Sequence, residues 1–128
     1  MDNAKTYSTV QSRKDCVVRA LANVSGIAYD DAFNICEAAG RKPGRGMNKK
    51  LWLPVFEKHA ELELSRYLSD FKTIKSLSKK LIERGGIYLV QVQGHVAVFK
   101  DGTWLDWIDS DRLHRVKAVW KVANKEAA

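Results

Sequence analysis

Long apolar runs, paired cysteines and metal-spaced ligands are all missing from this 128-residue chain. No stretch approaches the roughly 20 apolar residues that cross a bilayer, so no membrane-spanning helix is expected. The opening residues, Met1 to Ser8, hold no apolar core of the kind a secretion signal uses, and a cytoplasmic location is expected. Two cysteines, Cys16 and Cys36, close one disulfide at most. Without a secretory signal, free thiols are the expectation. Neither cysteine belongs to a CxxC or has a histidine pair near it, so no metal site and no cofactor are expected. Repeats, linkers, low-complexity segments, a Walker pattern and the zinc-finger or RRM signatures of nucleic-acid binders are absent too.

What remains is an ordinary globular mix, 45% hydrophobic and 29% charged. A single domain over residues 1–128 is expected, with its core at about 11–122. The outlier is charge: 22 Lys and Arg against 15 Asp and Glu, a net +7. Phosphate contacts need such groups clustered. Here they are spread over the entrance to the first helix, a Gly- and Pro-containing loop, a lysine-rich helix, a hairpin turn and the last strand. Nucleic acid therefore ranks last among the partner classes. Positive charge near the first helix and the loop instead favours a cysteine thiolate and an acidic partner.

Periodicity orders the elements. Cys16, Val17, Ala20, Leu21 and Val24 recur at helical spacing, predicting an amphipathic helix from Asp15 to Ser25 that Gly26 closes. A second helix is expected from about Tyr29 to Ala39, with Asp30 and Asp31 in its first turn and Gly40 beyond its end. Cys36 lies on its buried stripe and reads as core filler. Arg41 to Lys50 forms a basic loop, and a short helix follows Pro54 to near Ala60. Leu62, Leu64 and Tyr67 alternate with Glu63 and Arg66, predicting a strand. A helix opening at Lys72 or Thr73 buries Ile74, Leu77, Leu81 and Ile82 and ends at Arg84-Gly85-Gly86. Lys49, Lys50 and the lysines of this helix read as solvated faces.

After Gly86 the period drops to 2. Strands are expected at Ile87 to Val92, Val96 to Phe99, Trp104 to Trp107 and Val116 to Val122. In the last, Val116, Ala118, Trp120 and Val122 alternate with Lys117, Val119 and Lys121. The fold class is α+β, with N-terminal helices packed on a C-terminal antiparallel sheet.

The Asp101-Gly102 pair is a strong signal for a two-residue type I′ hairpin. Lys100 then pairs with Thr103, Phe99 with Trp104, Val98 with Leu105 and Ala97 with Asp106. His95 and Asp106 come to lie on one face as diagonal neighbours, about 7–8 Å apart. A carboxylate so placed sets the tautomer and orientation of an imidazole. Cys16 sits in the first turn of its helix, where free N–H groups and the helix dipole favour a thiolate. Arg13, Lys14 and Arg19 add positive potential there. Gln11, just upstream, carries an amide able to donate to an oxyanion. A nucleophile, a base, an orienting carboxylate and an oxyanion donor together describe cysteine acyl-transfer chemistry.

Gln11 with Asp15-Cys16 at a helix start, Gly94-His95 on a late strand and Asp106 on the next resemble the papain-like cysteine peptidase superfamily. The compact layout is most similar to Josephin-type deubiquitinase domains and to the bacteriocin-leader peptidase domains of ABC transporters. The segments Asp15 to Leu21, Gly94 to Val98 and Asp101 to Trp107 also resemble small uncharacterised phage and prophage proteins of this type. The resemblance runs from Gln11 to Val122 on short motifs. It implies a thiol protease or related hydrolase with Cys16 as nucleophile and His95 as general base and acid. It further implies that Asp106 orients His95, and that Gln11 and the backbone N–H of Cys16 hold the oxyanion. The substrate class is a protein or peptide, with a host protein as target if the chain is phage-encoded. Val17 stands where many members carry Gly or another small residue. The chain is also too short for the two-lobed papain cleft, so substrate contacts are expected from the loop carrying Arg41, Lys42 and Arg45.

Two rivals stand beside this reading. One is a non-catalytic factor that binds a host protein through the same scaffold; the other is a basic nucleic-acid binder. Protease, deubiquitinase, deamidase, transglutaminase and acyltransferase chemistries all use Cys, His and Asp and are not separated. Oligomeric state is likewise left open.

Overall fold

Burial of the central strands on both faces sets the architecture of the computed structural model. The structure describes residues 15–42, 46–92, 95–105 and 115–123. Five helices are described: α1 (Cys16–Ser25), α2 (Tyr29–Ala38), α3 (Lys49–His59), the single turn α4 (Arg66–Ser69) and α5 (Ile74–Arg84). Five strands, β1 (Glu61–Leu64), β2 (Ile87–Val92), β3 (His95–Lys100), β4 (Thr103–Trp104) and β5 (Val116–Ala123), form one sheet. Its order is β1-β5-β2-β3-β4 and every neighbouring pair is antiparallel.

The α+β class thus holds, and two buried clusters flank the sheet. Leu89, Val96, Val98, Ala118 and Trp120 share a buried cluster with the apolar faces of α1, α2 and α3. Tyr88, Val90, Val92, Phe99 and Val119 share the other with Leu68 of α4 and Ile74, Leu77 and Leu81 of α5. Helices therefore cover both faces, and β2 is buried on both, as a central strand is.

Local chemistry explains most element ends. Gly26 takes a left-handed φ of 73° and its N–H bonds to the Ala22 carbonyl at 2.9 Å, closing α1. Thr73 caps α5, its Oγ1 accepting from the Ser76 N–H. Ser65 does the same for α4, accepting from Leu68, so Tyr67 belongs to a helical turn and the expected strand stops at Leu64. Ser65 sits where a strand pattern and a capping signal compete, and the cap wins.

Three further expectations need correction. The third helix starts at Lys49, before Pro54 and not after it. Proline removes one intrahelical bond, but Pro54 is exposed, while Trp52 and Phe56 one turn apart are buried with their rings edge-on at 5.4 Å. That burial outweighs the roughly 3 kcal/mol a proline costs. Ile82 is 60% exposed although its helix buries Leu77 and Leu81. Strand β5 does not alternate throughout. Gln91 pairs with Ala118 but Val92 with Val116, so Lys117 is an extra residue and Val116 turns to the face of Val119.

The hairpin register is as the Asp-Gly signal predicts. Phe99 pairs with Trp104 and Lys100 with Thr103, and the Leu105 N–H continues the ladder to the Val98 carbonyl at 2.9 Å. Asp101 and Gly102 have φ of 48° and 87°, the left-handed pair a type I′ turn requires. The Phe99 and Trp104 rings meet edge-on at 4.9 Å, and the Trp104 indole N–H bonds to Ser78 Oγ, seating the hairpin on α5. A Cβ on Gly102 would meet nothing within 4 Å. Gly102→Ala should therefore destabilise only through its backbone, by about 1 kcal/mol, read as a lower urea midpoint with an unchanged slope.

Candidate active site

Asp15, at the N-terminal cap of α1, is fully buried, yet its carboxylate makes no capping bond to the helix. It accepts a hydrogen bond from the Tyr29 hydroxyl at 2.8 Å and faces Arg19 Nε at 3.2 Å, one helical turn on. A buried carboxylate needs such partners. Tyr29 opens α2, so this network ties the starts of the first two helices together. Burial, and then the bond to Asp15, push the Tyr29 hydroxyl well above its ordinary pKa. Arg19, expected to add positive potential beside Cys16, faces the Asp15 carboxylate instead. The Asp15/Arg19 spacing of one turn was the available signal.

Cys16 follows as the first residue of α1 and is partly exposed. It lines a cleft of about 380 Å³, within the range of small-ligand sites. Val17 of α1 adds to the same wall. Gly46, Met47 and Asn48, leading into α3, line it too, with Lys49 and Trp52 of that helix. The ends of two strands complete it: Gln91 and Val92 of β2, His95 and Val96 of β3. The structure therefore brings Cys16 and His95, distant in sequence, to one cleft. His95 is half-buried and is the first residue of β3. Alternation along β3 would assign it to the face of Phe99, and its place at the strand's start lets it line the cleft beside Val96.

Other predicted residues divide. Gln11, Arg45 and Asp106 lie outside the described residues; the described hairpin ladder ends one residue short of Asp106. Arg41 is not a surface group reaching for substrate. It is 3% exposed, its guanidinium lies 5.4 Å over the Phe33 ring, and its Nη1 is 3.7 Å from Glu37 Oε2. Neither Arg41 nor Lys42 lines the cleft. Lys49, expected on a solvated face, does line it, as do Met47, Trp52 and Gln91, which sequence reasoning passed over. Gln91 was legible as the polar position in an otherwise apolar central strand.

Cys36 contrasts with Cys16. It is fully buried, and burial pushes its thiol up to about 11. Among the described residues no group of three or more His, Cys, Asp or Glu is placed to hold a metal, and no helix is long and apolar enough to cross a membrane.

Tyr29→Phe should lower stability by about 1 kcal/mol, and Asp15→Ala by about 3 kcal/mol because Tyr29 and Arg19 both lose the shared carboxylate; urea unfolding measures each. The folded Cys36 thiol keeps its proton to about 11, whereas the ordinary value is 9.0. The folded state thus binds more protons between these values, so this contribution is complete below pH 9 and is lost as pH rises to 11. The loss is on the order of 2 kcal/mol. Cys36→Ala should flatten the alkaline limb of a stability–pH curve by that amount.

Comparison with protein-family models, with curated proteins and with solved structures finds no match to this chain.

Proposed function

We propose that the chain is a small papain-like cysteine hydrolase that cleaves a peptide, isopeptide or related amide bond. One observation carries the reading: Cys16, at the first position of a helix, and His95, at the start of a sheet strand, line the same cleft. A thiol at a helix start with an imidazole across a cleft is the minimal set for acyl transfer. Helix α1 packs on the sheet with the partly exposed Cys16 at its first position, which supports a papain-like reading.

In this reading His95 takes the Cys16 thiol proton and the thiolate sulfur attacks the substrate carbonyl carbon. The oxyanion that forms is met by the Cys16 backbone N–H and the Gln11 amide. On collapse the C–N bond breaks, and His95 hands its proton to the departing amine. The acyl group then sits on sulfur as a thioester. Water, deprotonated by His95, attacks that carbonyl; the C–S bond breaks, the proton on His95 returns to sulfur, and the carboxylic acid leaves and gives up its own proton to solvent. Asp106 holds His95 in the tautomer these transfers need. The substrate is a protein or peptide, a host protein if the chain is of phage origin.

Alkylation with iodoacetamide near pH 7, mapped by peptide mass, tests the assignment. Cys16 should react well ahead of the buried Cys36, and His95→Ala should slow Cys16 at least tenfold. Equal labelling of both cysteines, or a Cys16 rate indifferent to His95→Ala, would overturn the hydrolase and leave a binding factor on this scaffold.

A further inference from the structure

Lys49 is the one lysine or arginine among the described residues that line the Cys16–His95 cleft, and no described aspartate or glutamate lines it. Its ammonium lies 5.1 Å from the centre of the Trp120 ring. Trp120 stands edge-on to Trp52 at 5.8 Å, and Trp52 is itself a cleft wall. Trp120 and Trp52 are nearly buried, so they are fixed parts of the core. A long exposed side chain that would otherwise wander is thus given a seat at the cleft by a cation–π contact.

The local electrostatics leave that charge in place. Lys49 and Lys50 open α3, its first turn holds no acidic residue, and Asn48 makes no side-chain capping bond. Cations at a helix start run against the dipole and cost some stability. An acidic residue there would have been the ordinary choice for stability alone. Lys49 therefore gives the described cleft lining a positive charge, with neutral Asn48 and Gln91 and with Met47, Val17 and Val96 supplying apolar surface.

We infer that Lys49 is a specificity-determining residue, selecting acyl substrates that carry a carboxylate beside the carbonyl attacked by Cys16. The inference rests on the reading of Cys16 as the nucleophile. It adds the class of substrate: an acidic side chain or terminal carboxylate next to the scissile bond.

Two small electrophiles that differ in charge separate the two claims. The rates at which iodoacetate and iodoacetamide alkylate Cys16 in the full chain are measured near pH 7 at low salt. Lys49→Gln should slow iodoacetate about fivefold relative to iodoacetamide, the size of one unit-charge contact at about 4 Å in water. Lys49→Arg, which keeps the charge, should retain the parent ratio. Lys50→Gln, exposed and outside the cleft lining, should retain it as well. An unchanged ratio in Lys49→Gln, or an equal drop in Lys50→Gln, overturns the role of Lys49, while the His95-dependent iodoacetamide reaction still supports the nucleophile. Failure of both reagents to prefer Cys16 over Cys36 overturns the nucleophile and this inference with it.

Discussion

Val18 and Leu21 of α1 share one apolar cluster with Leu89 of β2 and Val96 and Val98 of β3, and this packing fixes the helix against the sheet. Each fully buried aliphatic side chain is worth about 1.5–3 kcal/mol, more than any single cap or surface pair. With the helix on those strands, its first residue lines the cleft at the end where β3 begins. Cys16 and His95 meet in one cleft as a consequence of that contact. The Asp15–Tyr29 bond and the Asp15–Arg19 pair then hold the helix start, so the backbone around Cys16 is braced from below while its side chain stays partly open.

How much of this could be read from residues alone depends on which force decides each element. Where one local rule acts unopposed, the sequence is explicit. Gly26 ends α1, Thr73 starts α5, and Asp101-Gly102 sets a register in which Phe99 meets Trp104. Where a local rule meets tertiary burial, the local rule loses. Pro54 reads as a helix start, yet Trp52 and Phe56 anchor a helix that begins five residues earlier. Lys117 reads as an outward strand residue, but pairing of β5 with β2 makes it a bulge and reverses Val116. Ile82 reads as core because its spacing from Leu81 and Leu77 is ambiguous by one position, and only the packed helix shows which stripe is buried.

The candidate site divides along the same line. Cys16 and His95 were legible because helix-start and hairpin chemistry are local. Their shared cleft was only an expectation, since it depends on the order of strands in the sheet. Met47, Trp52 and Lys49 were not legible. They reach the cleft through the entry angle of α3, and nothing in a basic, Gly-containing stretch announces that angle. Arg41 shows the opposite error: a cation that looks free in the sequence lies buried against Phe33 and Glu37.

The net +7 charge takes on meaning only after these placements. Arg19 faces Asp15, Arg41 faces Glu37 and Lys80 pairs with Glu83 at 3.0 Å, so these three cations are matched by acids on neighbouring turns. Lys49 is different, since an aromatic ring and not a carboxylate holds it. An ion pair would spend its field on its partner, whereas a ring leaves the ammonium able to attract a second anion. Among the described residues Lys49 is the one lysine or arginine on the cleft wall and no aspartate or glutamate lines it, so the proposed selection rests on this single ammonium.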